Sequence, residues 1–409
     1  MKLTSIRIVF ILVLSTTAVY TQWFQQNSGT AVNLHSINFH HGNESMVWAC
    51  GDNGVILHSS NGGTSWITQN SGTTNDLYCI CFMETSGGPV FAVGEGGTIL
   101  RTTNDGTNWL SVTSPTTHTL RDISDYNFVA VGDSGTILKS SNTGINWVQL
   151  PSPTTEQLNA SCAIFANYIV GNNGTILRGF SSGGNWVFSP SSSTQNFYGV
   201  PLFGNTDITI GTGGTIWRSS NFGANWFGQT SNSNVTLRSV EYSVNNNSRI
   251  YICGDQGTIL KSTNNGSIFG FQNSTTTQNL NSIFFYLNDN TGYACGNNGV
   301  ILKTTNGGGS IVTSVTNNGN APKEYELSQN YPNPFNPVTL IKFTIPADNF
   351  TEISIFDISG KETEVLMGRE LNKGSYEISF DGSHYASGVY FYKLRAGSFT
   401  ETKRMILLK

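Results

Sequence analysis

The string G-x-x-G-x-I-L, with Trp in place of Leu in one copy, recurs seven times, beginning at Gly51, Gly94, Gly132, Gly171, Gly211, Gly254 and Gly296. Neighbouring copies start 38 to 43 residues apart. A period of that size implies one supersecondary unit per copy, each burying its faces only against its neighbours. A second mark follows each copy: SSNGGTSW ending at Trp66, TTNDGTNW at Trp109, SSNTGINW at Trp147, then Trp186 and Trp226, with Phe269 and Ile311 in the Trp slot of the last two. In the second copy four β-rich runs follow one another at Leu77, Val90, Thr98 and Trp109, with Gly-, Asn- and Ser-containing turns between them. Four short strands per copy is the content of a propeller blade, whereas stacked parallel coils need shorter periods. The sequence therefore predicts an all-β chain built around a seven-bladed β-propeller.

The turn S/T-x-N-x-G-x-x-W has a mechanical reason. Its hydroxyl and its Asn side chain can each accept from nearby backbone N–H groups, Gly takes the positive φ, and Trp packs between blades. These turns resemble the Asp-box, or bacterial neuraminidase repeat, with Asn where Asp is usual. Together with the GTILR/K string they are similar to the repeats of photosystem II stability and assembly factors, over about Gln22 to Val312. That resemblance implies the fold; such turns occur in hydrolases, receptors and scaffolds alike. Ring closure is also readable. Trp23 and Trp66 open the same phrase, WFQQNSGT and WITQNSGT, which predicts that the Trp23 strand completes the last blade; the competing closure uses Ile311 to Val315.

The two ends read differently from the repeats. Lys2 and Arg7 precede an apolar run from Ile8 to Leu14 and then small and polar residues to Thr21, the layout of a secretory signal over residues 1–21. No other run approaches the length that crosses a bilayer, so no transmembrane segment is expected in the mature chain. From Tyr325 onward 19 of 85 residues are charged, against 27 of the preceding 324. Two bodies are therefore expected, a propeller over 22–312 and a charged domain over 325–409, joined by a linker at 313–324. The second body alternates apolar runs with Gly turns, the pattern of a small Ig-like antiparallel sandwich. It carries SQNYPNPFNP from Ser328, with Asn330, Tyr331, Pro332, Asn333, Pro334, Phe335, Asn336 and Pro337, then Gly360-Lys361 and SGVYFY with Gly388 and Tyr390. In order and spacing these resemble the C-terminal sorting domain of type IX secretion cargo. The resemblance implies export of a folded cargo across the outer membrane of a Gram-negative bacterium, removal of the tail, and release or attachment at the cell surface, with the type IX machinery as a partner.

Chemistry on the repeats is sparse. Only 11% of residues are charged and the net charge is -4, which removes the usual electrostatic basis for binding nucleic acid. Six of the ten basic residues between Gln22 and Glu324 directly follow the I-L/W pair, at Arg101, Lys139, Arg178, Arg218, Lys261 and Lys303, with His58 in the first copy. They form either a basic ring that docks anions or proteins, or a repeat slot whose stems cover apolar rings. A second slot, after the Leu or Phe that opens the first strand, holds His35, Tyr78, Arg121, Asn159, Tyr198, Arg238 and Asn281. At a channel mouth this set would suit a sugar or peptide.

Catalysis is not expected. Arg121, Arg238, Tyr78 and Tyr198 meet a sialidase's needs only by selection, and Asp76, Asp122, Glu156 and Glu241 show no paired placement of the kind glycosidases use. No G-x-S-x-G, H-E-x-x-H or P-loop occurs, and no C-x-x-C, so neither metal nor cofactor is anticipated. Cys50, Cys253 and Cys295 fill one repeat slot where other copies have Val or Ile, which predicts buried thiols without disulfides. The expected role is a monomeric secreted or surface binding module for protein or glycan. The alternative is a secreted sialidase-like hydrolase, distinguished by whether one blade departs from the repeat to place two carboxyls in the channel.

Overall fold

The computed structural model describes residues 23–409 apart from 41, 84–87, 125–127, 164–166, 180–184, 202–206, 244–247, 286–289, 310, 316–321 and 384. The signal at 1–21 and the middle of the expected linker lie outside the described residues. Those described form 36 strands and five short 3-10 turns.

Seven blades repeat one pattern, a four-stranded antiparallel meander; the first five are separate sheets in chain order, and the sixth forms one end of an eight-stranded sheet that continues into the C-terminal body. Blade 1 runs from Leu34–His40 through Asn43–Gly51 and Ile56–Ser59 to Ile67–Gln69. Blades 2 to 6 open on the inner strands Leu77–Phe82, Leu120–Ile123, Leu158–Ala163, Phe197–Gly199 and Leu237–Tyr242. Blade 7 has Leu280–Phe285, Gly292–Gly296 and Ile301–Thr304, and its fourth strand is Phe24–Gln26 from the other end of the chain. Phe24 pairs with Lys303 and Gln26 with Ile301. The N-terminal strand thus closes the ring, as the repeated Trp phrase predicts.

The two marks of the repeat do local work. Gly51 sits where a Cβ would overlap the carbonyl oxygen of Asn33, and Gly54 needs φ +69 while its own Cβ would strike Thr73 O. In the Asn turn, Ser59 Oγ and Asn61 Oδ1 accept from Gly63 N–H at 2.8 Å and Ser65 N–H at 2.9 Å. The same bonds recur around Asn104, Asn142, Asn221 and Asn264. Burial then falls between blades, where apolar clusters join consecutive sheets. Trp109 reaches blade 1 through Gln69 Oε1 at 3.0 Å, and Trp226 reaches blade 4 through Ser189 Oγ at 3.0 Å. No disulfide joins the six cysteines; burial pushes the Cys50, Cys253 and Cys295 thiols far above their ordinary range.

The C-terminal body is a two-sheet sandwich. Glu326–Leu327, Val338–Ile345 and Gly374–Asp381 face Glu362–Leu371, Asn349–Phe356, Gly388–Ala396 and Phe399–Leu407. Ile341, Phe343, Ile353, Ile355, Tyr392 and Leu394 lie in its core. One difference from the sequence reading appears at the junction. Ile311–Val315 is a strand that pairs with Gly374–Asp381 and touches blade 6 at Phe271, so Thr313 to Val315 are ladder and not linker. The reason is edge pairing: both neighbours offer an open strand edge, and a β-branched segment satisfies them. Ile311 accordingly fills no Trp slot, and Trp23 occupies that place in blade 7.

Candidate functional site

The inner strands line a central cavity of about 380 Å³. In all seven blades the ladder between the first two strands slips after the opening Leu or Phe, between Leu34 and Ser36 in blade 1 and at the same place in the others. The residue in between is left out of the ladder, and a bulge re-aims its side chain. Those seven residues are His35, Tyr78, Arg121, Asn159, Tyr198, Arg238 and Asn281, and all seven line the cavity. The structure brings this whole predicted set together.

Five of the seven mouth residues lean on the one directly after the first Gly of their own copy. His35 Nε2 lies 2.6 Å from Asp52 Oδ1, and Arg238 Nε donates to Asp255 Oδ1 at 2.6 Å. Arg121 grips Asp133 with Nε and Nη2 at 2.9 and 3.2 Å. Asn159 and Asn281 donate to Asn172 and Asn297, each at 3.0 Å. Sequence reading missed these partners, although a signal was present: the three basic mouth residues have Asp there, and the two Asn have Asn. Tyr78 stands between His35, 5.0 Å away ring to ring, and Arg121, whose Cζ is 4.7 Å over its face. Burial raises the Tyr78 phenol, Arg121 lowers it, and Asp76, Glu95 and Asp52 raise it further.

Below the mouth the shaft contains Asp122 from blade 3 and Glu241 from blade 6. The ring fold turns both strands to one cavity. They occupy different repeat slots, two residues apart along the strand, which is about 7 Å of height. Enclosure raises the Asp122 carboxyl above its ordinary range, while donors from Cys79 and Ser161 hold it down. Asp122 Oδ2 accepts from Ser161 N–H at 2.6 Å and Ser161 Oγ–H at 3.0 Å.

The basic slot reads otherwise than as an open docking ring. Lys261 Nζ donates to Gly307 O at 2.8 Å and Lys303 Nζ to Gly62 O at 2.7 Å. Arg178 and Arg218 donate to Phe222 O and Asn265 O. Each of these four ties its blade to the turn of the next. Several charged heads also lie over the cross-strand aromatic, Arg101 on Phe91, Lys261 on Tyr251 and Lys303 on Tyr293, and His58 stacks on Trp48 at 4.6 Å. Burial lowers the pKa of His58, Lys139 and Lys303. The slot sits in blade seams because a third-strand side chain points at the neighbouring sheet.

The tail motif is partly buried and partly offered to solvent. Asn330 is buried, donating to Thr339 Oγ1 at 2.9 Å and Pro332 O at 3.1 Å, and Phe335 packs edge-on to Phe380. Asn333 Oδ1 accepts from Ile406 N–H at 2.9 Å, which ties the segment to the last strand. Tyr331, Pro332, Pro334 and Asn336 are exposed, and Pro337 is half-buried. Gly360, at φ +81, closes a turn in which Asp357 Oδ1 accepts from Lys361 N–H at 3.1 Å. Gly388 opens the strand in which the Tyr390 hydroxyl donates to Ala386 O at 3.0 Å.

Seven repeat blades around a lined channel, followed by a sandwich bearing a sorting motif, define a propeller protein equipped for secretion. The family model described as photosynthesis system II assembly factor YCF48 matches residues 15–305, and the chain belongs to that family. A second model, the secretion system C-terminal sorting domain, matches residues 329–408 and marks the chain for type IX export to the cell exterior or surface. Among solved structures, YCF48 from Cyanidioschyzon merolae is similar with a TM-score of 0.56 at 19% identity, over 69% of this chain and 98% of its own. A structure of YCF48 bound to D1 peptide gives 0.58 at 17%, over 71% and 99%. The WD40 repeats of RRP9 give 0.59 at 8%, over 69% and 97%. At these identities the likeness is one of fold. No curated protein matches the chain.

Proposed function

We propose that this secreted propeller is a monomeric, non-catalytic binding module at the bacterial outer surface, holding an extracellular protein or glycan at the channel mouth. The observation that carries the reading is that all seven bulge residues converge on one cavity. Five of them are held by side-chain partners from their own copy; pre-set polar groups and an aromatic face lower the ordering cost of binding. A peptide is favoured over a glycan, because a solved propeller of similar fold was bound to a peptide. In this reading residues 1–21 direct the first export step. The sandwich delivers the chain to the type IX machinery through its exposed ridge of Tyr331, Pro332, Pro334 and Asn336. The test is an array of surface proteins, peptides and glycans probed with residues 22–409 and with Tyr78→Ala. A hit lost in the variant supports the mouth; hits that ignore it refute it.

A hydrolase of sialidase type is the second reading, favoured by the two carboxyls in the shaft. Their offset of about 7 Å in height exceeds the roughly 5 Å of a retaining pair. Turnover of chromogenic glycosides that Asp122→Asn abolishes would establish it over the binding role.

A further inference from the structure

We propose that the shaft beneath the mouth receives a cationic donor group of the ligand, a lysine-type ammonium, with Asp122 as its counter-ion; this rests on the mouth being the ligand face. The charges on the mouth are already spent. Arg121 and Arg238 are neutralised by Asp133 and Asp255 from outside the shaft lining. Asp76, Glu95 and Asp52 lie near the Tyr78 phenol, beside Arg121. Inside the shaft, Asp122 takes its hydrogen bonds from neutral donors, the Ser161 amide and hydroxyl and the Cys79 thiol. Glu241 adds a second carboxyl from blade 6.

An independent observation points to the same chemistry. Asn38 and Ser124 line the shaft and are only 9% and 2% exposed, and neither Asn38 Oδ1 nor Ser124 Oγ has a hydrogen-bond partner. A buried acceptor left unmade costs about 1–3 kcal/mol in folded proteins, so such atoms mark where a donor is received. An ammonium brings three donors and no acceptor. It answers the carboxylate of Asp122, and the orphan oxygens, two residues further along their strands, receive a further donor of the same ligand. An acidic ligand meets carboxylates with every facing arginine already engaged.

The probe is fluorescently labelled pentalysine, with pentaglutamate and pentaserine as references, measured by anisotropy on residues 22–409 at low and high salt. Pentalysine is expected to bind most tightly, and Asp122→Asn, which keeps the shape and the Ser161 acceptor, is expected to weaken it at least tenfold. Glu241→Gln gives a second variant if Asp122→Asn fails to fold. Preference for pentaglutamate, no binding of pentalysine, or pentalysine binding untouched by both variants overturns the shaft assignment. Loss with Tyr78→Ala but not with either shaft variant upholds the mouth while refuting the cation site.

Discussion

Closure of the ring by the N-terminal strand makes a quantitative expectation. Trp23 is fully buried, stacks edge-on to Phe285 of blade 7 at 5.7 Å, and donates from Nε1 to Gln272 Oε1 of blade 6 at 3.2 Å. Replacing it with Ala removes a large buried ring, which costs about 3–5 kcal/mol, and the orphaned Gln272 oxygen adds about 1 kcal/mol. At about 2–3 °C for each kcal/mol in a domain of this size, the melting temperature should fall by roughly 8–18 °C. Removing residues 22–26 should do at least as much, because the three paired positions opposite Lys303, Leu302 and Ile301 go with them. The assay is thermal unfolding of residues 22–409 followed by near-ultraviolet circular dichroism. Ile311→Ala is the control, since its strand pairs with the sorting domain and leaves blade 7 intact. A Trp23→Ala shift below about 2 °C, or one no larger than the control's, would refute the closure.

Three further expectations follow from the same geometry. Lys303→Met strips the donor from Gly62 O in the blade 7 to blade 1 seam, so urea unfolding should show a loss of about 1–2 kcal/mol with ligand binding unchanged. Arg121→Ala removes a mouth ion pair on partly exposed side chains; stability should change by under about 1 kcal/mol, while affinity for any array hit falls several-fold. In the sorting domain, burial pushes the Glu364 carboxyl up to about 7, with Tyr385 donating to it at 2.7 Å. A raised folded-state value means stability fully present below the unfolded pKa near 4.5 and lost as pH rises through 7. The urea transition of the tail should therefore weaken by about 3 kcal/mol from pH 4 to pH 8, and Glu364→Gln should flatten that dependence.

The repeats and the tail were legible because their signals are local. Gly51 and Gly54 answer contacts within one blade edge and recur in all seven copies, and Asn61 caps its own turn and recurs in six, so the blades are announced before any long-range contact is known. The mouth ring was legible for the same reason, as one slot per copy. The partners Asp52, Asp133 and Asp255 were equally written in the copies, and comparison of the two slots across repeats would have found them.

Other features belong to the tertiary structure alone. Whether Trp23 or Ile311 closes the last blade is a choice between two strands of similar character, decided by which one fits against Phe285 and Gln272. The basic slot looks like an exposed ring when each copy is read alone; only the packing of one blade on the next turns Lys261 and Lys303 onto neighbouring carbonyls. Asp122 and Glu241 are 119 residues apart in the chain and face one shaft because the ring bends their strands to a common axis. Sequence alone determined the units, since each is held by bonds within its own 40 or so residues. Structure decided what the units do to each other, since those contacts run from one copy to the next and no single copy contains them.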